Sequence, residues 1–313
     1  MSKIAVLGGG AFGAALATAL GREGIPVTMW MRNPGAAQST RNVPRLPGVS
    51  LPDAITITDV PPETADICLV ALPVQQLRKA LPPVLPTAAL VACCKGIEAE
   101  SGLGPMDLLA ELQPQASTAI LTGPSFAADI ARGLPTALTL AAHGTDDAQG
   151  LQAALATPRL RLYASDDPVG AEMGGALKNV IAISCGACIG AGLGSSARAA
   201  LMTRGLFEMK EMATTLGARP ETLSGLSGLG DLTLTCHSEQ SRNFRFGLTI
   251  GRGAAFDEDT TVEGAATALA AHEKALALGL DLPVIEATAG LVSGALSVQD
   301  ALNGLLSRPL RME

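Results

Sequence analysis

Short apolar runs alternate with helical patterns over the first half of the chain. Uninterrupted apolar strands are typical of a parallel sheet that is covered on both faces. Their alternation with helices predicts a doubly wound, Rossmann-like α/β domain. The predicted strands are KIAVLG, VTMWM, DICLVAL, ALVACC and TAILTG, with TALTLAA and LRLYAS as two further candidates, and predicted helices lie at 11–22, 74–81 and 103–112.

From about Asp167 onward the pattern changes, and long helical segments dominate. Asp166, Asp167 and Pro168 are typical of a helix start, because an acidic cap precedes a proline in the first turn. The sequence therefore predicts a dinucleotide-binding domain over 1–165 and an all-α substrate and catalytic domain over 166–313. The predicted helices of this second domain span 169–189, 196–216, 262–278 and 283–292.

The composition is that of a folded chain with large cores. Of 313 residues, 48% are hydrophobic, 16% are charged and only 3% are aromatic, so Ala, Leu, Val and Ile must fill the interior. The net charge of -7 makes a nucleic-acid partner unexpected. An anionic small molecule stays compatible with this charge, provided that a local basic pocket binds it.

No membrane span is expected. The uncharged stretch over 180–197 approaches spanning length, but its glycines, together with Ser195 and Ser196, favour a buried core helix followed by a loop. The N-terminal apolar run is too short for a signal peptide, so we expect a cytoplasmic protein. Cys185 and Cys188 form a lone C-x-x-C, which we interpret as buried thiols rather than a metal site.

A glycine fingerprint directly follows the first predicted strand. Gly8, Gly10 and Gly13 satisfy G-x-G-x-x-G and open the first predicted helix, at Ala11 and Phe12. In this context the glycines permit a tight turn, a close approach of a pyrophosphate and close helix packing. A purely structural strand–helix turn is the alternative.

The residue after the second strand bears on the choice of cofactor. An acidic residue there favours NAD, whereas this sequence has Arg32, whose guanidinium suits a 2′-phosphate. NADP is therefore somewhat favoured over NAD, unless Arg32 is simply a solvated surface residue.

Five further motifs carry polar or charged residues that are candidates for a functional site. CCKGIE places Lys95 after a strand, and TGPSFA places Gly123, Ser125 and Ala127 after the next. GGALKNVIAI encloses Lys178 in apolar residues, so this lysine either extends to water or has a chemical task. Asp231 lies in GLSGLGDLTLTC, and Ser241, Arg242 and Asn243 lie in SRNFRFG, which could bind a phosphate or form a polar loop.

Taken in order, these motifs resemble those of the NAD(P)-dependent glycerol-3-phosphate dehydrogenases, and the resemblance extends through RGLFEMKEM to TTVEGAATA. It implies reversible hydride transfer between sn-glycerol 3-phosphate and NAD(P)+, which gives dihydroxyacetone phosphate and NAD(P)H and supplies glycerol 3-phosphate for phospholipid synthesis. Another phospho-hydroxyacid dehydrogenase, with the architecture of 6-phosphogluconate dehydrogenase, is the alternative. A non-catalytic dinucleotide sensor would not need the charged residues of the motifs.

The resemblance also implies individual roles. Lys178 matches the catalytic proton acceptor, Asp231 the acid beside it, and Lys95 a lysine near both cofactor and substrate. The other implied substrate contacts are Gly123, Ser125, Ser241, Arg242 and Asn243, and the implied cofactor contacts are Gly8, Gly10, Ala11, Phe12, Gly13, Arg32, Ala127, Arg242, Val262 and Glu263. The apolar second half is compatible with a homodimer and equally with one large core.

Overall fold

The structure is a computed structural model and describes residues 2–257 and 261–308. The chain folds into two compact units. The first unit comprises Met1–Lys95 and Leu103–Glu172, and the second comprises Gly96–Gly102 and Met173–Glu313. The domain limits 1–165 and 166–313 stay a prediction.

An eight-stranded sheet forms the centre of the first unit, in the order β3-β2-β1-β4-β5-β6-β7-β8. The order reverses between β1 and β4, the kind of position at which open α/β sheets bind ligands. The strands are β1 (Ile4–Leu7), β2 (Val27–Trp30), β3 (Ile55–Thr58), β4 (Ala65–Val70), β5 (Thr87–Ala92), β6 (Ser117–Thr122), β7 (Thr136–Ala142) and β8 (Leu160–Ser165).

All neighbouring pairs in this sheet are parallel except β6 and β7, which are antiparallel. Every residue of β1 is buried, as expected for a strand that is covered on both faces. The predicted Rossmann-like class is confirmed. The antiparallel β7 was not predicted, because an apolar run carries no information about its direction.

Helices of the first unit connect these strands. Two of them confirm sequence predictions, at Ala11–Arg22 and, with a start two residues later than predicted, at Pro105–Leu112. The helices are α1 (Ala11–Arg22), α2 (Gly35–Thr40), α3 (Leu77–Ala80, after a 3₁₀ turn at Val74–Gln76), α4 (Pro105–Leu112), α5 (Ala127–Arg132) and α6 (Thr145–Leu155).

The described part of the second unit is helical, with no strand among its residues 173–257 and 261–308. Asp167 caps the long helix that begins at the end of the first unit and continues into the second, since its Oδ1 accepts the N–H of Gly170 at 2.9 Å, as the acidic helix start predicted. The helices are α7 (Pro168–Gly190), α8 (Gly194–Thr215), α9 (Asp231–His237), α10 (Arg242–Gly251), α11 (Glu263–Ala277), α12 (Pro283–Ser293) and α13 (Val298–Leu306).

Helix α7 is the one described helix that is long and apolar enough to cross a membrane, but 89% of its apolar window is buried inside the protein. This agrees with the predicted core helix. The loop that follows is shorter than predicted, because α8 begins at Gly194.

Glycines allow α7 and α10 to cross backbone against backbone. A Cβ atom added to Gly186 would lie 2.1 Å from the carbonyl oxygen of Phe244, and one added to Gly247 would lie 2.0 Å from that of Ile183. Any side chain at these positions would force the helices apart. The glycine-rich end of α7 is therefore a packing surface, and it brings the start of α10 close to the middle of α7.

Candidate active site

The turn after β1 requires glycine at two of the three fingerprint positions. Gly8 has φ +119°, and a Cβ there would lie 2.7 Å from the carbonyl oxygen of Ala71. A Cβ at Gly13 would lie 2.1 Å from the carbonyl oxygen of Gly8. Both glycines are thus explained by the close packing of the turn against the strands around the order reversal.

Gly10 has a different environment, since no atom lies within 4 Å of the position its Cβ would take. The protein itself therefore does not require glycine there. Helix α1, which Ala11 and Phe12 open, has no acidic residue in its first turn and no side-chain cap. An open glycine before an uncapped helix N-terminus fits a bound pyrophosphate.

The end of β2 lies against this turn. The N–H of Gly8 donates to the carbonyl of Trp30 at 2.9 Å. The Cε atom of Met31 lies 2.7 Å from where a Cβ on Gly9 would be. Arg32 follows directly and is exposed. Its guanidinium is therefore accessible to a ligand that lies along the turn.

Lys95 and the TGPSFA motif follow β5 and β6, two neighbouring parallel strands, at the same edge of the sheet. The N–H of Cys93 donates to the carbonyl of Val70 at 2.9 Å, which fixes the chain just before Lys95. Burial raises the pKa of the Cys93 thiol, against the opposing effect of the Lys95 ammonium. The Cys93 thiol is thus neutral at physiological pH.

A hydrogen bond closes the TGPSFA turn. Gly123 has φ +140°, and the hydroxyl of Ser125 donates to its carbonyl at 3.1 Å. Ala127 then opens α5.

In the second unit, the ammonium of Lys178 is buried and paired. Its Nζ donates to Oδ1 of Asp231 at 2.5 Å and to Oγ1 of Thr235 at 3.0 Å. Lys178 is 6% exposed and Asp231 is 0% exposed, so the lysine does not extend to water. A buried ammonium of this kind needs a counter-charge, and Asp231 supplies it.

Thr235 also holds the acid in place, because its hydroxyl donates to the backbone carbonyl of Asp231 at 2.6 Å. The same oxygen accepts from Lys178, so one hydroxyl orients both partners. Sequence reasoning missed Thr235. The signal was the spacing of four between Asp231 and Thr235, which places both on one face of a helix.

Glycines of the Asp231 motif allow this pairing. A turn of π-helix at Leu226–Gly230 precedes α9. A Cβ at Gly174 would lie 2.5 Å from the carbonyl oxygen of Ser227, so α7 contacts this turn through its backbone. The close contact brings Asp231 within reach of Lys178.

Ser241, Arg242 and Asn243 form the N-terminus of α10 rather than a polar loop. The Oγ of Ser241 accepts the N–H of Phe244 at 3.2 Å and caps the helix. Arg242 is exposed, and the first turn carries no acidic residue. A helix N-terminus with an arginine and no carboxylate is suited to an anion.

The start of α11 lies against the same place. Oδ1 of Asn243 accepts the N–H of Gly264 at 3.0 Å, and a Cβ on Gly264 would lie 2.8 Å from the carbonyl oxygen of Asn179. Val262 and Glu263, directly before Gly264, are half-buried. Because Asn179 follows Lys178, the structure brings the SRN and Lys178 motifs together within the second unit. Sequence reasoning also missed Asn179.

The described residues contain no disulfide and no candidate metal cluster. All six cysteines lie within the described residues as buried thiols outside any disulfide. Among residues 2–257 and 261–308, no group of three or more His, Cys, Asp or Glu could hold a metal ion.

Comparison with known proteins identifies a family from both halves of the chain. Residues 3–148 match the NAD-dependent glycerol-3-phosphate dehydrogenase N-terminus, and residues 167–303 match the corresponding C-terminus. Glycerol-3-phosphate dehydrogenase [NAD(P)+] of a Ruegeria species is 56% identical over 99% of this chain and 100% of its own length, and that of Cereibacter sphaeroides is 55% identical with the same coverage. The crystal structure of glycerol-3-phosphate dehydrogenase from Coxiella burnetii is 32% identical, with a TM-score of 0.88 over 98% of this chain and 99% of that one.

Proposed function

Because this chain belongs to the NAD-dependent glycerol-3-phosphate dehydrogenase family, we propose that it interconverts sn-glycerol 3-phosphate and dihydroxyacetone phosphate with NAD(P) as hydride carrier, and that Lys178 moves the proton. The reaction supplies glycerol 3-phosphate for glycerophospholipid synthesis. The role of Lys178 in proton transfer rests on one observation: its buried ammonium is hydrogen-bonded to both Asp231 and Thr235.

Oxidation of a secondary alcohol removes a hydride from carbon and a proton from oxygen. A bound NAD(P) would supply the hydride chemistry, which leaves the proton to the protein. In the reductive direction, the Lys178 ammonium donates a proton to the ketone oxygen, and in the oxidative direction its amine takes the proton back. Asp231 and Thr235 hold the nitrogen in one orientation, which removes the entropy cost of aligning it with the substrate.

The substrate phosphate is assigned to the N-terminus of α10. Arg242 supplies a guanidinium for charge-assisted hydrogen bonds, and Ser241 and Asn243 lie on either side of it. Lys95, Gly123 and Ser125 supply further polar contacts for the substrate.

Cofactor contacts are assigned to the fingerprint turn, Arg32, Lys95 and Ala127, and the family resemblance adds Arg242, Val262 and Glu263. The open position at Gly10 and the uncapped α1 support the pyrophosphate assignment. The exposed Arg32 supports a preference for NADP over NAD, because its guanidinium matches a 2′-phosphate.

The test is reduction of dihydroxyacetone phosphate, followed as oxidation of NADPH and, in parallel, of NADH. We expect turnover with both and faster turnover with NADPH, an advantage that Arg32→Asp removes. Lys178→Met should lower kcat by at least about a thousandfold while NADPH still binds. The matched control is Lys210→Met, a half-buried lysine of α8 outside the site, which should keep wild-type rates.

Near-normal turnover by Lys178→Met would overturn the assignment of the proton. Turnover of 6-phosphogluconate in place of dihydroxyacetone phosphate would overturn the proposed substrate and favour a related phospho-hydroxyacid dehydrogenase.

We also propose that the enzyme works in the cytoplasm and as a homodimer. Six buried thiols support a reducing compartment. Large exposed apolar side chains of the second unit, Phe207 at 52% and Leu276 at 64%, support association with a second copy. Cell fractionation tests the compartment, and a monomer mass in light scattering would overturn the dimer.

A further inference from the structure

The seven residues Gly96–Gly102, which we call the 96–102 turn, directly follow Lys95 and belong to the second unit. Ile97 is 2% exposed and Glu98 is 4% exposed, so the middle of the turn is buried. The chain just before Lys95 is held by the bond between Cys93 and Val70. Lys95 therefore lies between a fixed strand end and a packed turn.

Internal hydrogen bonds close the 96–102 turn. The N–H of Gly102 donates to the carbonyl of Glu98 at 2.9 Å, and the hydroxyl of Ser101 donates to Oε2 of Glu98 at 2.5 Å. Gly96 has φ +119° and Gly102 has φ +70°. Because glycine has more backbone freedom than other residues, both ends of the turn are positions where the chain moves readily unless it is held.

A lysine from a distant part of the chain holds the second of these ends. Nζ of Lys274 donates to the carbonyl of Gly102 at 2.8 Å, across 172 residues of sequence. Lys274 lies in the last turn of α11 and is half-buried. A bond from a charged donor is worth more than a neutral one, especially where water is partly excluded.

We propose that Lys274 is a positioning residue for Lys95. It fixes the carbonyl of Gly102, the fixed carbonyl stabilises the 96–102 turn, and the turn sets the backbone on which Lys95 stands. The proposal rests on the proposed function, in which Lys95 contacts cofactor and substrate. Lys274 itself touches neither and acts through the turn alone.

The first experiment measures steady-state reduction of dihydroxyacetone phosphate by Lys274→Met, Lys274→Arg and the wild type. We expect Lys274→Met to lower kcat/KM about tenfold, which is about 1.4 kcal/mol of transition-state stabilisation. Lys274→Arg retains a charged donor and should recover most of the rate. Glu273→Gln, which changes the exposed neighbour, is the matched control and should leave the rate unchanged.

The second experiment repeats Lys274→Met in a Lys95→Met background. If Lys274 acts through Lys95, its substitution costs nothing further once Lys95 is gone, because effects along one chain of contacts are not additive. Hydrogen exchange measured on the same proteins should show faster exchange in the 96–102 turn of Lys274→Met and unchanged exchange in α7.

Wild-type kinetics in Lys274→Met, or an equal further loss in the Lys95→Met background, would overturn the proposal. So would a loss that Lys274→Arg does not recover, since that would indicate a general packing defect. A wild-type protein that does not reduce dihydroxyacetone phosphate would instead remove the proposed function, while the exchange measurement would still report whether Lys274 holds the turn.

Discussion

At the scale of single residues, Thr235 connects the two charged partners of the candidate site. Its hydroxyl accepts from Lys178 and donates to the backbone of Asp231. Thr235→Val has nearly the same shape and loses both bonds. We expect it to lower kcat about ten- to a hundredfold with little change in KM, because a misoriented ammonium mainly affects the chemical step. Thr235→Ser is the control and should retain most of the activity.

Steady-state kinetics report whether the Lys178 ammonium is still oriented for the reaction. The melting temperature reports whether the substitution has weakened the fold. If Thr235→Val keeps near-wild-type activity while Thr235→Ser loses it, the methyl group rather than the hydroxyl matters. The orienting role would then be wrong.

Gly10 and Gly13 form a second test at this scale, because they differ in what surrounds them. Gly10→Ala adds a methyl group to open space at the N-cap of α1, so we expect a fold weakened by at most about 1 kcal/mol and a strongly reduced affinity for NADPH. Gly13→Ala puts a Cβ 2.1 Å from the carbonyl oxygen of Gly8 and should lower the melting temperature markedly.

Thermal unfolding and quenching of cofactor fluorescence measure the two effects separately. An unchanged NADPH affinity in Gly10→Ala would contradict the placement of the pyrophosphate. The two variants separate folding from binding because packing within the protein requires glycine at position 13 but not at position 10.

Sequence reasoning predicted the types of residue at the site better than their contacts. The expected neighbourhood of Lys178 and Asp231 is present, 53 residues apart in sequence. The bond between Thr235 and Lys178 and the bond between Asn243 and Gly264 depend on the way the helices cross. The sequence pattern of a single segment does not show which other helix that segment will cross.

At the scale of elements, Glu208 of α8 caps the N-terminus of α12. Its two carboxylate oxygens accept the N–H groups of Val284 and Ile285 at 2.8 and 3.0 Å. Burial raises the pKa of Glu208 to about 7, opposed by these two bonds and by Arg204 and supported by Glu211. The folded protein therefore binds this proton more tightly than the unfolded chain does.

This difference predicts a pH dependence. A raised pKa in the folded state adds stability that is fully present below about pH 4.5 and is lost as the pH rises through about 7. The amount is about 3 kcal/mol, at 1.36 kcal/mol per pKa unit. Glu208→Gln cannot titrate, so its free energy of unfolding should improve relative to the wild type by about 2 kcal/mol between about pH 5 and about pH 8.

Chemical denaturation of both proteins across this pH range provides the measurement. The difference between the two free energies of unfolding isolates Glu208, because the other carboxylates contribute equally to both proteins. Parallel stability curves would show that Glu208 does not titrate in this range.

Long, strongly patterned elements were the ones that the sequence predicted well. The limits of α7 differ from the prediction by one residue at each end, and α12 begins at the predicted residue and ends one residue later. Strand β3 was missed, because ITIT alternates over only four residues and supplies too little apolar material. Helix α10 was missed as well, because its polar start resembles a loop until Ser241 is seen to cap it.

At the scale of the whole molecule, the thiols are distributed through both units and all are buried. Burial raises the pKa of Cys68, Cys188 and Cys236, which leaves little of the reactive thiolate. We expect no cysteine to react within minutes with an aromatic disulfide reagent in the native protein, and all six to react in guanidinium chloride. A thiol that reacts promptly in the native state would contradict this.

The fold class of the whole chain could be predicted, because it follows from the order of strands and helices. The placement of Gly96–Gly102 with the second unit could not, since nothing in seven residues between a strand and a helix indicates which core they join. Long-range contacts, such as the hydrogen bond from Lys274 to Gly102, place these residues with the second unit.

The crossing of α7 and α10 has a consequence for which substrates fit. Since the two helices touch through backbone at Gly186 and Gly247, no side chain adjusts their separation. In the proposed binding mode, this contact sets the distance between the Lys178 ammonium and the first turn of α10, and with it the length of substrate that fits. Discrimination between a three-carbon phosphate and a longer one would depend on residues that have no functional group at all.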